Sequence, residues 1–392
     1  MNYTLFDSAV RRQLLPFTHT RPAADIRCGI LTMRERWELL LQQATSSLCP
    51  DYMQAVYAAP AEGAVTLIDG SLFATPGLAQ AVQRLQEGEK LVAGAHLLAA
   101  KFPAGTAVSF TNLAEKAAPL PAVPFGEQVD GLQRTWDIFM KNEQAIKADF
   151  ALLTANRSSQ PLPSFVTAIN PGNIFIEAGA VLGPCIINAS KGPVYIGADA
   201  EIMEGCLLRG PIAMGAHSVL KMGAKVYGAT TIGEGCKVGG EVSNTVFFAN
   251  SNKGHDGFLG NAVIGEWCNL GADTNCSNLK NNYDIVKVWD EDRQQLVSTG
   301  LQFCGLMMGD HSKSGINTMF NTGTVVGVSA NVFGSSFPEK FIPSFSWGAA
   351  GDTAVYAFDK AMETAGRMME RRGKQLSAAE QNMYRHLFDR QA

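Results

Sequence analysis

Residues 196–243 read, in blocks of six, IGADAE IMEGCL LRGPIA MGAHSV LKMGAK VYGATT IGEGCK VGGEVS. Each block begins with an aliphatic residue or Met: Ile196, Ile202, Leu208, Met214, Leu220, Val226, Ile232 and Val238. Neither the helical nor the strand period produces this spacing. Four residues after each stand Ala200, Cys206, Ile212, Ser218, Ala224, Thr230, Cys236 and Val242, which are small, thiol or β-branched and carry no charge. Glycine is frequent between them. A short strand aiming one aliphatic side chain inward, then a corner too tight for a large residue, accounts for the pattern. Three such edges close a triangular coil. A single coil cannot bury its own face, so coils must stack into a continuous core. The expected architecture is a parallel β-helix from about Ile174 to Gly334. Ile176 and Leu182 carry the period before the run, Ile264 and Leu270 after it, and Ile316 and Val328 where it resumes. The intervening stretch from about Asn275 to Thr299 is expected to loop out. A glycine-rich β-sandwich is the competing architecture, and eight consecutive hits weigh against it.

The chain has 392 residues, enough for more than one core. A formal net charge of −4 supplies no electrostatic footprint for nucleic acid. No apolar run approaches the roughly 20 residues that span a bilayer, so no membrane role is expected. The opening Met1 to Asp7 lacks a signal peptide's layout, and a cytoplasmic location is expected. The eight cysteines are scattered without a CxxC pair, which argues against disulfides or zinc. Cys206, Cys236 and Cys268 fall on the small inward position and read as core residues.

Hexapeptide repeats of this form resemble the left-handed parallel β-helix of hexapeptide acyltransferases. That resemblance implies the left hand, a homotrimer, and acetyl-CoA or another acyl-CoA bound between neighbouring helices. Four segments are expected: an α/β, Rossmann-like domain over residues 1–120, a helical connector over 121–170, the all-β helix over 171–350 and C-terminal helices over 351–392. Connector residues Ile138, Phe139, Ala145, Ile146 and Phe150 share one side of a helical pattern.

Gln13 to Pro22 reads QLLPFTHTRP. It resembles the opening of sugar-1-phosphate nucleotidyltransferases, with Leu14, Pro16, Thr18 and Pro22 in register. The resemblance implies a loop whose backbone N–H groups cradle nucleotide phosphates. No glycine lies between Asp7 and Arg12, Gln13 stands in place of an Arg, and Ala23 stands in place of a Lys. Arg11, Arg12, Arg21 and Arg27 are candidate substitutes, with Arg12 and Arg21 taken as substrate-binding. A loop that only preserves the fold is the alternative. Val65 to Gly70 reads as a buried strand ending in Asp-Gly, where Asp69 either holds Mg2+ for a nucleoside triphosphate or forms the turn.

The densest cluster of functional residue types runs from Asn252 to Asn278, NKGHDGFLG followed by IGEWCNLGADTNCSN. It resembles the acetyltransferase half of the bifunctional enzymes that make UDP-N-acetylglucosamine. By that resemblance His255 is the general base for attack on a thioester, a task suited to imidazole. Asn269, Asn278 and Lys253 would contact substrate, and Ala272 would face CoA. Phe258 stands where the family has Tyr. A second cluster, Gly309 to Thr318, resembles archaeal bifunctional relatives and offers Lys313 for a phosphate of CoA or substrate; His311 is an alternative base or forms, with Asp310, a polar corner.

The tail from Asp352 reads as helical, with Val355, Phe358, Met362, Ala365 and Met369 on one face and a capping box at Ser377 and Glu380. Three functions are left open. One is an acyl-CoA-dependent transferase acting on a sugar phosphate or nucleotide sugar, fused to a divergent nucleotidyltransferase domain. Another is a working uridylyl- or thymidylyltransferase whose β-helix serves trimer assembly. The third is a non-enzymatic scaffold.

Overall fold

The hexad register decides the interior of the C-terminal part. In the computed structural model, which describes residues 2–60, 63–348, 351 and 353–390, all eight aliphatic positions from Ile196 to Val238 are at most 2% exposed. Each coil returns after three hexads, so Ile196 stacks on Met214 and Met214 on Ile232. Strands two or three residues long are hydrogen-bonded into sheets of six, nine and ten strands, which form the walls of the prism; all pair in parallel except the edge strand Ala354–Val355 of the ten-stranded sheet. The predicted small positions are buried too, including Cys206, Cys236 and Cys268, and these residues share one continuous core. Residue 350, the expected end of this segment, lies outside the described residues, as does Asp352, the expected start of the tail.

The register departs from expectation in three places. Val242 is not a corner residue: it centres the strand Glu241–Ser243, because only Gly239 and Gly240 separate that strand from Lys237–Val238. Ile316 is 71% exposed, and the inward positions there are Ser314 and Phe320. Val328 is buried outside the prism, against Phe345, Phe358 and Met362. The insertion begins only after Cys276, since Asn275–Cys276 pairs with Met319–Phe320, and it contains an antiparallel hairpin, Lys287–Asp290 with Gln295–Ser298.

The N-terminal sheet is mixed. Its strands are β1 (Asn2–Phe6), β2 (Ser46–Leu48), β3 (Val65–Asp69), β4 (Lys90–Ala93), β5 (His96–Phe102) and β6 (Ala122–Pro124), in the order β2-β1-β3-β5-β4-β6. The first three are parallel and β5 is antiparallel to β3 and β4. Thr32 and Glu35 form a capping box that starts the helix Met33–Leu41, whose Trp37 is fully buried.

This domain covers an apolar wall of the prism. Val246, Val263, Met307 and Val325 form an outward ladder along the nine-stranded sheet. They pack against Leu14, Phe17, Ile26, Cys28 and Met33 of the N-terminal domain. The connector is two helices, Asp137–Met140 and Asn142–Thr154, wedged into the same junction. Asn142 Oδ1 accepts from Gly29 N at 2.7 Å while its Nδ2 donates to Ala229 O at 2.8 Å. Asp149 accepts from Arg36 Nε and Nη2 at 2.8 and 2.7 Å and from the N–H groups of Ile30 and Leu31.

The C-terminal helices are Phe358–Glu370 and Ala378–Asp389, the second carrying the expected Ser377–Glu380 capping box. Phe358, Met362, Ala365 and Met369 are buried as expected. Val355 is not on that face: it lies in a strand at the prism's end and is 73% exposed. No helix among the described residues is long and apolar enough to cross a membrane.

Candidate active-site groove

The outward positions of the ten-stranded sheet form a polar ladder: Lys237 pairs with Asn252, Asn252 with Asn269, Asn269 with Lys313 and Lys313 with Asn331. The helix Phe358–Glu370 and the turn after it pass over this wall and close a groove of about 810 Å³. His255, Asn269, Ala272 and Lys313 all line it, so four of the expected site residues meet there. His255 is exposed and rides on a corner flanked by Gly254 and Gly257.

The groove's charge is set by residues that motif reading passed over. Lys221, Lys237, Arg371 and Arg372 line it beside Lys313, with no carboxylate among its lining residues. In a chain of net charge −4 this is a local concentration of positive charge. Arg372 is held in place by donating to Gly235 O and, at 3.0 Å, to Asn252 Oδ1. Lys374 lies 5.7 Å from the centre of the Trp267 ring. The sequence signal was available: Lys221 and Lys237 each adjoin an inward residue of the repeat and therefore point out of the prism. What no spacing reveals is that Arg371 and Arg372 fold back over the same wall.

Lys313 is mostly withdrawn from solvent; its Nζ donates to His311 O at 2.8 Å, and burial pulls its pKa down to about 8. His311 itself is 3% exposed, stacked on Trp267 and edge-on to Tyr384. Burial and the neighbouring Lys313 and Arg21 charges hold its imidazole well below the ordinary histidine range. A neutral ring enclosed in this way has no open path to a substrate, unlike His255. Lys253 is also buried, at 1% exposure, and its ammonium bonds to backbone carbonyls.

Asn278 opens into a different groove, with Tyr227, Asn244, Phe258, Asn261 and Phe303, where its Nδ2 donates to Asn261 Oδ1 at 2.8 Å. Within one chain His255 and Asn278 therefore line separate grooves. The corner 254–257 precedes Phe258, so it links the two in sequence.

The N-terminal loop is turned towards the prism. Arg21 is 5% exposed, ion-paired with Asp310 and, at 3.0 Å, with Glu266. Thr20 Oγ1 donates to the same Asp310 carboxylate at 2.6 Å. Arg11 bonds Asp7, Thr18 O and the Tyr52 hydroxyl, and Arg27 grips Glu234 through two contacts of 2.7 Å. His19 meets Glu291 at 2.9 Å on the inserted hairpin. Arg12 is the exception, 70% exposed and 3.6 Å from Asp292. Asp69 closes a turn: Oδ1 accepts from Ser71 N and Oγ, and Oδ2 contacts His96 Nε2 at 2.9 Å. Both oxygens of Asp69 are thus engaged within the protein.

Residues 3–158 match the sugar nucleotidyl transferase family. The match takes in the connector helices as well as the sheet. The bifunctional protein GlmU of Synechococcus elongatus is 25% identical over 224 residues, covering 52% of this chain and 45% of the relative. A bifunctional sugar-1-phosphate nucleotidylyltransferase/acetyltransferase of Sulfurisphaera tokodaii is 32% identical over 145 residues, 36% of each chain. The chain thus covers less than half the length of either relative. Among solved structures, the polysialic acid-specific acetyltransferase NeuO aligns with a TM-score of 0.25 at 11% identity, over 48% of this chain and 84% of that one. The name of the Sulfurisphaera relative joins nucleotidylyl and acetyl transfer, and the architecture here is an α/β domain on a parallel β-helix.

Proposed function

We propose that this protein is an acyl-CoA-dependent acyltransferase, with acetyl-CoA as donor and a sugar phosphate or nucleotide sugar as acceptor. The observation that carries the reading is the groove onto which His255 opens, lined by five Lys and Arg side chains and no carboxylate. A donor bearing several phosphates is the ligand such a lining suits, and Arg supplies paired donors for them. His255 takes the proton from the acceptor's amine or hydroxyl as that atom attacks the thioester carbonyl, and the CoA thiolate leaves. Asn269 and the backbone at Ala272 orient the acyl end, and Lys313 meets a phosphate. Asn278, which lines a separate groove within one chain, contacts the sugar from a neighbouring copy of the homotrimer.

The uridylyl- or thymidylyltransferase reading is less well supported, because Arg11, Arg21 and Arg27 are engaged within the protein. The N-terminal domain acts chiefly as the support for the prism wall. A homotrimer is in keeping with Ile169, Ile186, Leu207 and Tyr227, which are exposed on the outer face of the six-stranded sheet. Eight buried, unpaired thiols suit the reducing cytoplasm. Titration with acetyl-CoA and, separately, with UTP and Mg2+ in a calorimeter tests the reading. Heat with acetyl-CoA that disappears in Lys237→Glu supports it, whereas binding of UTP alone refutes it.

A further inference from the structure

Lys253 carries a charge at an inward position of the repeat, where its column otherwise holds uncharged residues such as Val238, Leu270 and Ser314. The strand Asn252–Lys253 pairs with Lys237–Val238, matching Lys253 to the inward Val238. An ammonium thereby enters a core otherwise built from uncharged, mostly apolar side chains. Burying a charge costs several kcal/mol unless its donors are met, so its partners are informative.

Those partners lie at the corner that carries His255. In a regular coil the corner between the ten- and six-stranded sheets is filled by one small inward side chain, Cys206 after Ile202 and Ala224 after Leu220. The next coil has only Gly239 and Gly240 there, and the one after has Gly254 to Gly257, where His255 and Asp256 point outward. Two successive corners thus lack their filler. Lys253 Nζ occupies that space, donating to Gly239 O and to His255 O, both at 3.0 Å. A Cβ on Gly240 would stand 2.9 Å from this nitrogen, so glycine at that site, with φ +72°, makes the room.

We infer that Lys253 is a positioning residue: from inside the prism it ties the corner 254–257 to the coil before it and so fixes where the His255 imidazole stands in the groove. It touches neither donor nor acceptor. Its catalytic consequence rests on the acyltransferase reading, but the tether itself does not. A methionine of similar length would fill the same column and hold neither carbonyl.

The test uses the full chain carrying Lys253→Met, with Lys253→Gln as the variant that keeps a donor. Amide exchange over residues 254–257 is expected to quicken in Lys253→Met and to recover partly in Lys253→Gln, while the neighbouring coils stay protected. In acetyl transfer, kcat falls by up to about a hundredfold, the scale of a misplaced catalytic group. KM for acetyl-CoA stays level, and Lys253→Gln regains part of the rate. Unchanged corner exchange in Lys253→Met overturns the tether, and unchanged kcat overturns its role in placing His255. Should Lys253→Met not fold, Lys253→Gln against wild type decides by the same exchange measurement. If wild-type protein transfers no acetyl group, the function reading falls while the exchange result still judges the tether.

Discussion

Arg21 and Asp310, 289 residues apart in the chain, form a buried ion pair that fastens the N-terminal domain to the β-helix. Asp310 is saturated: Oδ1 accepts from Glu266 N at 2.8 Å, and Oδ2 from both Thr20 and Arg21. Both residues belong to motifs that read as ligand-binding in the sequence. Each is the other's partner instead.

Removing one side of such a pair strands the other charge in a buried site. Asp310→Ala is therefore expected to lower stability by about 3–5 kcal/mol. Asp310→Asn, whose Oδ1 can still accept from Glu266 N, should lose less. Urea unfolding of the two variants checks the order. Equal stability of Asp310→Ala and wild type would remove the fastening role.

Arg12 is expected to behave oppositely. It is exposed, and its pair with Asp292 spans 3.6 Å, so Arg12→Ala should change stability by no more than about 0.5 kcal/mol. Acetyl-CoA titration should give the wild-type affinity in this variant. A marked loss of affinity would place Arg12 in the donor site.

Lys253 and Lys313, both pulled down to about 8 by burial, set a pH signature. Between about 8 and the ordinary lysine value of 10.5, the folded state has released protons that the unfolded chain still binds. Stability contributed by these two groups therefore rises with pH through that window. Buried thiols such as Cys236 and Cys268, pushed up to about 12 and higher, act in the opposite direction. The contrast between wild type and Lys253→Met isolates the lysine: the variant should lose stability relative to its own value at pH 7 more steeply as pH is raised to 10. Parallel melting curves across that range would contradict the assignment.

For the groove, Lys237→Glu introduces a carboxylate at an exposed rung of the polar ladder. Acetyl-CoA affinity is expected to fall at least about tenfold at low salt, and the penalty to shrink as salt is added. His255→Ala should leave that affinity near wild type while abolishing most turnover. A variant that still transfers acetyl groups at the wild-type rate would exclude His255 as base.

The prism was legible in the sequence because its rule is local and periodic. One inward aliphatic residue every six positions suffices to name Ile196 through Val238 as core, and all are buried. Legibility failed where the count slipped. A two-glycine corner at Gly239–Gly240 turned Val242 from an expected corner into a strand centre, and the phase after the insertion put Ser314 inward where Ile316 had been expected. In the groove, the Asn252–Asn278 motif located His255, Asn269 and Ala272 because they lie on one stretch of chain.

The six-residue repeat alone thus determined that the chain stacks coils, which residues fill them, and where the filling stops. Tertiary structure decided what the interruptions do, because their partners come from distant parts of the chain. Arg371 and Arg372 reach the groove only because the C-terminal helix crosses the prism wall. Arg21 became a clasp because the apolar ladder Val246, Val263, Met307 and Val325 needs a cover and brings the loop down beside Asp310. Lys253 turned inward because two neighbouring corners left space for its ammonium and offered two carbonyls to receive it. A charged residue's role follows from which partner burial brings within reach, and a one-dimensional spacing does not carry that information.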